Sequence, residues 1–225
     1  MRIHVAFTPA ETAPAPVGVV VDVLRATSTI AQALASGYRR VLCCAEIEDA
    51  LALRAEIPDS IVGGERKAVQ VEGFDVGASP REFLEPRAET LILSTTNGTR
   101  AILETARRCK EVVLGALLNL DAVARVSAER DSVVVCAGFQ GAFALDDAYC
   151  AGRIVQLVES DRNDAAIAAE LIASAFPNAQ DALSSRTYGP AGLEEDIAFC
   201  ARENVLEVVP RLVGMVGPAA EITGS

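Results

Sequence analysis

Four apolar runs in this chain are each followed at once by acids, arginines, hydroxyls or glycines, and residues of those types in that position can do chemistry. In VVVDVLRATSTI, Asp22 closes a run of valines, and Arg25, Thr27 and Ser28 follow within six residues. In VGGERK, Gly63 and Gly64 lead into Glu65 and Arg66. In LILSTTNGTRAI, the stretch Ser94, Thr95, Thr96, Asn97 and Gly98 precedes Arg100. In VVVCAGFQGAFALDDAYCAG, Gly138 and Gly141 free the backbone to approach a ligand, and Asp146 and Asp147 stand at a helix start. A fifth loop, EGFDVGASPREF, offers Ser79. Carboxylate oxygens suit a hard divalent cation, and arginines, hydroxyls and backbone N–H groups at a helix start suit an anion. A cation beside an anion cradle is what phosphoryl transfer requires.

Each loop also has a plainer reading. Asp22 and Ser28 can be turn and N-cap residues, Thr95 or Asn97 a helix cap, and Asp146 and Asp147 a complement to a helix dipole. Gly63 to Arg66 can be a solvated turn, and Ser79-Pro80 an N-cap with its first helical residue. Taken together the plain readings are strained, because an acidic chain gains nothing structural from gathering Arg25, Arg66 and Arg100 behind its apolar runs.

The elements that must position these loops are short β-rich runs alternating with helical patterns. The runs 17–21, 39–45, 60–64, 90–94, 111–116 and 131–137 read as buried strands. Helices are expected from the 22–29 loop to Leu34 with Gly37 as C-cap, and over 46–57, 98–108, 146–159 and from an Asn119 cap to Glu129. The last quarter reads as mainly helical, ending in the run VLEVVP (205–210). Continuous apolar strands separated by helices predict an α/β fold with a mostly parallel sheet and helices on both faces. In such sheets ligands sit at the carboxyl ends of the strands, which is where the polar loops fall. The chain reads as one unit over 1–225, either undivided or as two closely packed α/β sub-domains. The non-periodic segment 67–86 is an excursion, and 146–225 a helical C-terminal part.

Composition limits the alternatives. The net charge of −11 excludes a general nucleic-acid binder and means that an anion site needs local arginines or a bound cation. With a single histidine, His4, a Ser-His-Asp or Cys-His nucleophile and a His-rich zinc site are nearly excluded, so a metal here would take oxygens and be Mg²⁺ or Mn²⁺. The six cysteines form no CxxC and read as buried free thiols. No apolar run reaches the roughly 18 residues of a membrane span, and the first residues show no signal peptide, so a cytoplasmic protein without membrane partners is expected.

The motifs VDVLRATSTI, GER at 64–66, GFDVGASP, STTNGTRAI, the Asn119 turn, CAGFQGAFALDDAYCAG and GLEEDIAFCAREN…VVP resemble, in this order, the ComB family of 2-phosphosulfolactate phosphatases. The resemblance implies Mg²⁺-dependent hydrolysis of 2-phospho-3-sulfolactate, a small anionic phosphorylated substrate, in a route to coenzyme M. Two departures bear on the substrate. The family pattern has GNSP where this chain has Gly77-Ala78-Ser79-Pro80, and S-L-E-D where it has Ala144-Leu145-Asp146-Asp147.

The expected site follows. Asp22, Glu65 and one of Asp146 or Asp147 approach Mg²⁺, some through water. Asp22, Arg25, Arg100 and Asp147 carry the chemistry. Thr27, Ser28, Arg66, Ser79, Thr95, Thr96, Asn97, Gly98, Gly138 and Gly141 bind substrate, with Arg153 a further candidate for its acidic ends. Direct attack by water and an aspartyl-phosphate on Asp22 are both open. The rival readings are a non-catalytic binding protein for small anionic metabolites and another metal-dependent phosphoryl-transfer enzyme. A homodimer is the default oligomer.

Overall fold

The computed structural model describes residues 1–187 and 192–224. The first half of the chain forms β1 (Arg2–Ala6), β2 (Ala15–Val21), α1 (Ala26–Ala35), β3 (Arg40–Cys44), α2 (Ile47–Glu56), β4 (Ser60–Arg66), β5 (Val69–Gln70), β6 (Thr90–Ser94), α3 (Gly98–Ala106) and β7 (Cys109–Gly115). The second half forms α4 (Leu120–Ser127), β8 (Ser132–Cys136), α5 (Leu145–Leu157), β9 (Asp161–Arg162), α6 (Asp164–Ala175), α7 (Ala179–Ser184), α8 (Glu194–Cys200), β10 (Pro210–Val216) and β11 (Ala219–Gly224). Among the described residues no helix is long and apolar enough to cross a membrane.

All eleven strands join one sheet in the order β5-β4-β6-β3-β11-β10-β7-β2-β8-β1-β9. Strands β4, β6 and β3 pair in parallel, as do β7, β2, β8, β1 and β9. The two parallel halves are joined by the C-terminal hairpin, whose strands make antiparallel pairs with each other, with β3 and with β7. Here the structure departs from the sequence reading. Residues 205–209 form no strand, and the chain end adds two central strands to the sheet rather than more helix. Gly214 and Gly217 interrupt the apolar alternation of β10 and its turn, and a register shift falls between Leu212 and Gly214.

Alternation along β2 shows how the layers are covered. Val17, Val19 and Val21 pack with Val123, Ile154 and Val155 of α4 and α5 on one face. Val20 packs on the other with Ile30 of α1 and Ile102 of α3. Cys43 and Leu93, from the opposite half of the sheet, belong to that same second cluster, so α1 and α3 lie between the two halves. Every residue of α1 from Ala26 to Leu34 is buried. A helix enclosed on all sides has no solvated face, which is why Thr27, Ser28 and Thr29 must find partners inside the protein.

Three antiparallel pairings separate β3 from β7, so the two halves run in opposite senses along the ladder. Even so, the loop after β2 touches the loop after β6. The Cα of Gly98 lies so close that a Cβ there would stand 2.8 Å from Asp22 Oδ2. The twist and coiling of a long sheet bring these strand ends together.

Candidate active site

Asp22 is the first residue beyond β2, and its backbone is held by the first turn of α1. Its N–H donates to Thr27 Oγ1 at 3.1 Å, and the Thr27 hydroxyl donates back to the Asp22 carbonyl at 2.9 Å. Ser28 Oγ donates to the Val23 carbonyl at 2.8 Å. These hydroxyls shape the turn that presents the Asp22 side chain, and neither lines the cavity beside it. That cavity, of about 340 Å³, is bounded by the loops after β2, β6 and β8 and by the end of β4 through Asp22, Arg25, Glu65, Thr95, Asn97 and Gln140. Its volume is at the small end of the range for ligand pockets.

Carboxylates tie these loops to one another. Asp147, in the first turn of α5, accepts from Val23 N at 2.9 Å and from Gly138 N at 3.0 Å, joining the loops after β2 and β8. Glu65 accepts from Ala68 N at 2.6 Å and from Thr96 N at 2.8 Å, joining the β4–β5 turn to the loop after β6. Gln140 N donates to Asn97 Oδ1 at 3.2 Å and completes the circuit. Gly138 takes φ +70°, a conformation open to glycine, and the position of its Cβ would fall 2.4 Å from the Ala142 carbonyl oxygen.

Burial and crowded negative charge dominate the electrostatics. Burial pushes the Asp22 carboxyl up from 3.8 to about 7. The Ala26 N–H at 3.3 Å works against this, the charges of Asp146 and Glu65 add to it, and Arg25 opposes it. Asp147 is raised well above the usual carboxylate range by burial and by Asp146 and Asp22, against the two backbone N–H groups that it accepts. Such an accumulation of buried acids favours either a proton or a cation.

The four acids do not close into one ligand set: among the described residues no three metal-ligating side chains converge on a point. Glu65 and Asp147 direct both oxygens at backbone N–H groups. The charge of Asp146 acts on both Asp22 and Asp147, and of these three Asp22 borders the cavity. Mg²⁺ is commonly bound through one or two carboxylates with water and substrate oxygens, so it would not need all of these acids as direct ligands.

A protein-family model described as 2-phosphosulpholactate phosphatase matches residues 4–214. The chain belongs to this family. Relatives named "Probable 2-phosphosulfolactate phosphatase" run nearly the full length of the chain. The one from Thermus thermophilus is 37% identical, covering 97% of this chain and 98% of its own. The one from Thermotoga petrophila is 36% identical, covering 95% and 96%. The one from Clostridium acetobutylicum is 38% identical, covering 86% and 88%.

Within this 2-phosphosulpholactate phosphatase fold, the residues singled out in the sequence separate into two groups. Asp22, Arg25, Glu65, Thr95, Thr96 and Asn97 border the cavity. The others lie elsewhere. Arg66 donates to the carbonyls of Glu65 and Ala45 and to Ser94 Oγ, and so closes off polar groups at the ends of β3, β4 and β6. Arg100 is exposed, pairs with Glu46 at 3.6 Å and lines a neighbouring depression with Thr96, Gln140 and Gly141. Arg153 pairs with Glu203 at 2.6 Å, away from the cavity. Ser79 caps the short 3-10 helix Pro80–Phe83 and donates to Asp196. Asn119 precedes α4 without capping it: its amide bonds Ala116 N and the carbonyls of Leu114 and Val208.

Four participants escaped the sequence reading. Lys67, Gln140 and Arg186 line the cavity, and Asp196 pairs with Arg25 at 2.6 Å. Lys67 and Ala68 both take positive φ, of 54° and 62°, in the two-residue turn between β4 and β5. Such turns ordinarily use Asn or Gly, so nothing in the residue types marked this one. Asp196 stands among three acids in the first turn of α8, where a dipole complement is the ordinary expectation.

Proposed function

We propose that this chain hydrolyses the phosphate ester of 2-phospho-3-sulfolactate to 3-sulfolactate and inorganic phosphate, with Mg²⁺ held by Asp22 and Asp146. The observation that carries the reading is Asp22 itself, a buried carboxyl raised to about 7 at the wall of a small cavity that Arg25 also lines. The names of the relatives supply the substrate. That substrate has a phosphate, a carboxylate and a sulfonate, and three cationic side chains, Arg25, Lys67 and Arg186, line the cavity of a protein whose net charge is −11.

In the reaction a water oxygen bonds to phosphorus as the bond to the C2 oxygen breaks, and that oxygen leaves with the electron pair and takes up a proton. Asp22, at the cavity wall, takes the proton from the attacking water. Arg25 and the N-terminal end of α3 bind the phosphoryl oxygens. Lys67 and Arg186 receive the carboxylate and sulfonate. Glu65, Asp147 and Asn97 hold the loops in register, so these groups are in place before substrate arrives. When bound, Mg²⁺ supplies positive charge next to the phosphoryl and leaving oxygens.

The test is phosphate release from racemic 2-phosphosulfolactate, 2-phospholactate and phosphoglycolate, each with Mg²⁺ and with EDTA. The expected order places 2-phosphosulfolactate first, with release abolished by EDTA. Tight binding of all three without release would leave a binding protein in place of a hydrolase. Equal rates in EDTA would remove the metal from the proposal.

A further inference from the structure

Arg25 reaches the cavity from the start of α1, and two distant parts of the chain hold its guanidinium. Nη1 donates to Asp196 Oδ2 at 2.6 Å, and Nη2 donates to the Ala68 carbonyl at 3.1 Å. The other oxygen of Asp196 accepts from Ser79 Oγ at 2.5 Å. The Arg25 and Asp196 side chains are 8% and 7% exposed. Both carboxylate oxygens are therefore engaged, and Asp196 has one orientation open to it. Of the five N–H donors on a guanidinium, two are occupied by these contacts, and Arg25 lines the cavity.

We infer that Asp196 is a positioning residue, which with Ser79 fixes the Arg25 guanidinium in the geometry that receives the phosphoryl group. The inference rests on the role of Arg25 proposed above. Stability alone is a poor account of this pair. A desolvated ion pair recovers little of the cost of burying its charges, and apolar residues of similar volume often do as well. A long arginine side chain also loses considerable rotamer freedom when it is ordered. The clamp takes that loss during folding, so that substrate binding and the transition state do not. Asp196 does not touch the reacting atoms, and it acts through Arg25.

The experiment is a double-mutant cycle on the full chain with Mg²⁺. It uses Asp196→Asn, Ser79→Ala and Arg25→Ala, alone and with each of the first two placed in the third. Asp196→Asn is expected to lower kcat/KM tenfold to a hundredfold, and Ser79→Ala several-fold. In the Arg25→Ala background neither should change kcat/KM by more than about twofold, because the group being positioned is gone. Asp196→Glu should recover part of the loss. Binding of inorganic phosphate, followed by calorimetry, gives the same cycle without turnover. It therefore separates failure of this inference from failure of the hydrolase reading. Equal losses with and without Arg25 would overturn the inference, as would a drop in urea stability with full activity per folded molecule. Should Asp196→Asn fail to fold, the Ser79→Ala arm decides by the same criterion.

Discussion

Replacing Asp22 with Asn should stabilise the metal-free protein at pH 8 while abolishing phosphate release. The carboxyl titrates at about 7 in the folded protein against 3.8 when unperturbed. Because the folded value is raised, the contribution of Asp22 to stability is fully present below about pH 3.8 and is lost as pH climbs through about 7. At 1.36 kcal/mol for each pH unit of displacement, the loss reaches about 2 kcal/mol at pH 5 and about 4 kcal/mol at pH 8. Asn carries no charge, and its amide oxygen can still accept the Ala26 N–H. The stability gap between variant and parent should therefore widen by about 2–3 kcal/mol from pH 5 to pH 8. Urea unfolding in EDTA at the two pH values measures this directly. Mg²⁺ added at pH 8 should stabilise the parent and leave the variant nearly unchanged, since the ion offsets the same charge that the substitution removes. Phosphate release should fall by about three orders of magnitude or more, equivalent to about 4 kcal/mol of barrier. A gap that is the same at both pH values, or a variant less stable than the parent at pH 8, would falsify the claim that Asp22 is held ionised at a cost.

Two further substitutions separate the site from the scaffold. Gly98→Ala would place a Cβ 2.4 Å from Ala26 Cβ and 2.8 Å from Asp22 Oδ2, so the start of α3 or the Asp22 loop must shift. A stability loss of about 1–3 kcal/mol by thermal or urea unfolding is expected. With it should come about a hundredfold drop in kcat/KM, since a misplacement of an ångström can cost that much; unchanged kinetics would show that the close approach does not matter. Asn119→Ala should act in the opposite way. It strips bonds from Ala116 N and from the carbonyls of Leu114 and Val208, costing about 3 kcal/mol, while activity per folded molecule stays at the parental level.

Much of this molecule could be read along the chain. Runs such as VGVVV and VVVCA are apolar at every position, which requires cover on both faces, and the alternation of such runs with helical patterns points to α/β layering. The breaks from apolar to polar at Asp22, Glu65 and Thr95 marked the strand ends that border the cavity, because a polar group placed there can find a partner or a ligand beyond the sheet. The sequence motifs also carried the family, through a resemblance that residues 4–214 bear out.

The destination of each polar side chain was decided in three dimensions. Thr27, Ser28 and Arg66 stand next to cavity residues in sequence, yet each is drawn to backbone carbonyls, those of Asp22, Val23 and Ala45. Arg25 found its carboxylate 171 positions away, and no local period reports a contact of that range. The same holds for the sheet. Periodicity shows which side of an element is buried, but not which strand lies beside it. The last strands thus entered the centre of the ladder unannounced, between β3 and β7. By reversing the sense of one half against the other, they left it to the coiling of the whole sheet to bring Asp22 and Gly98 into contact.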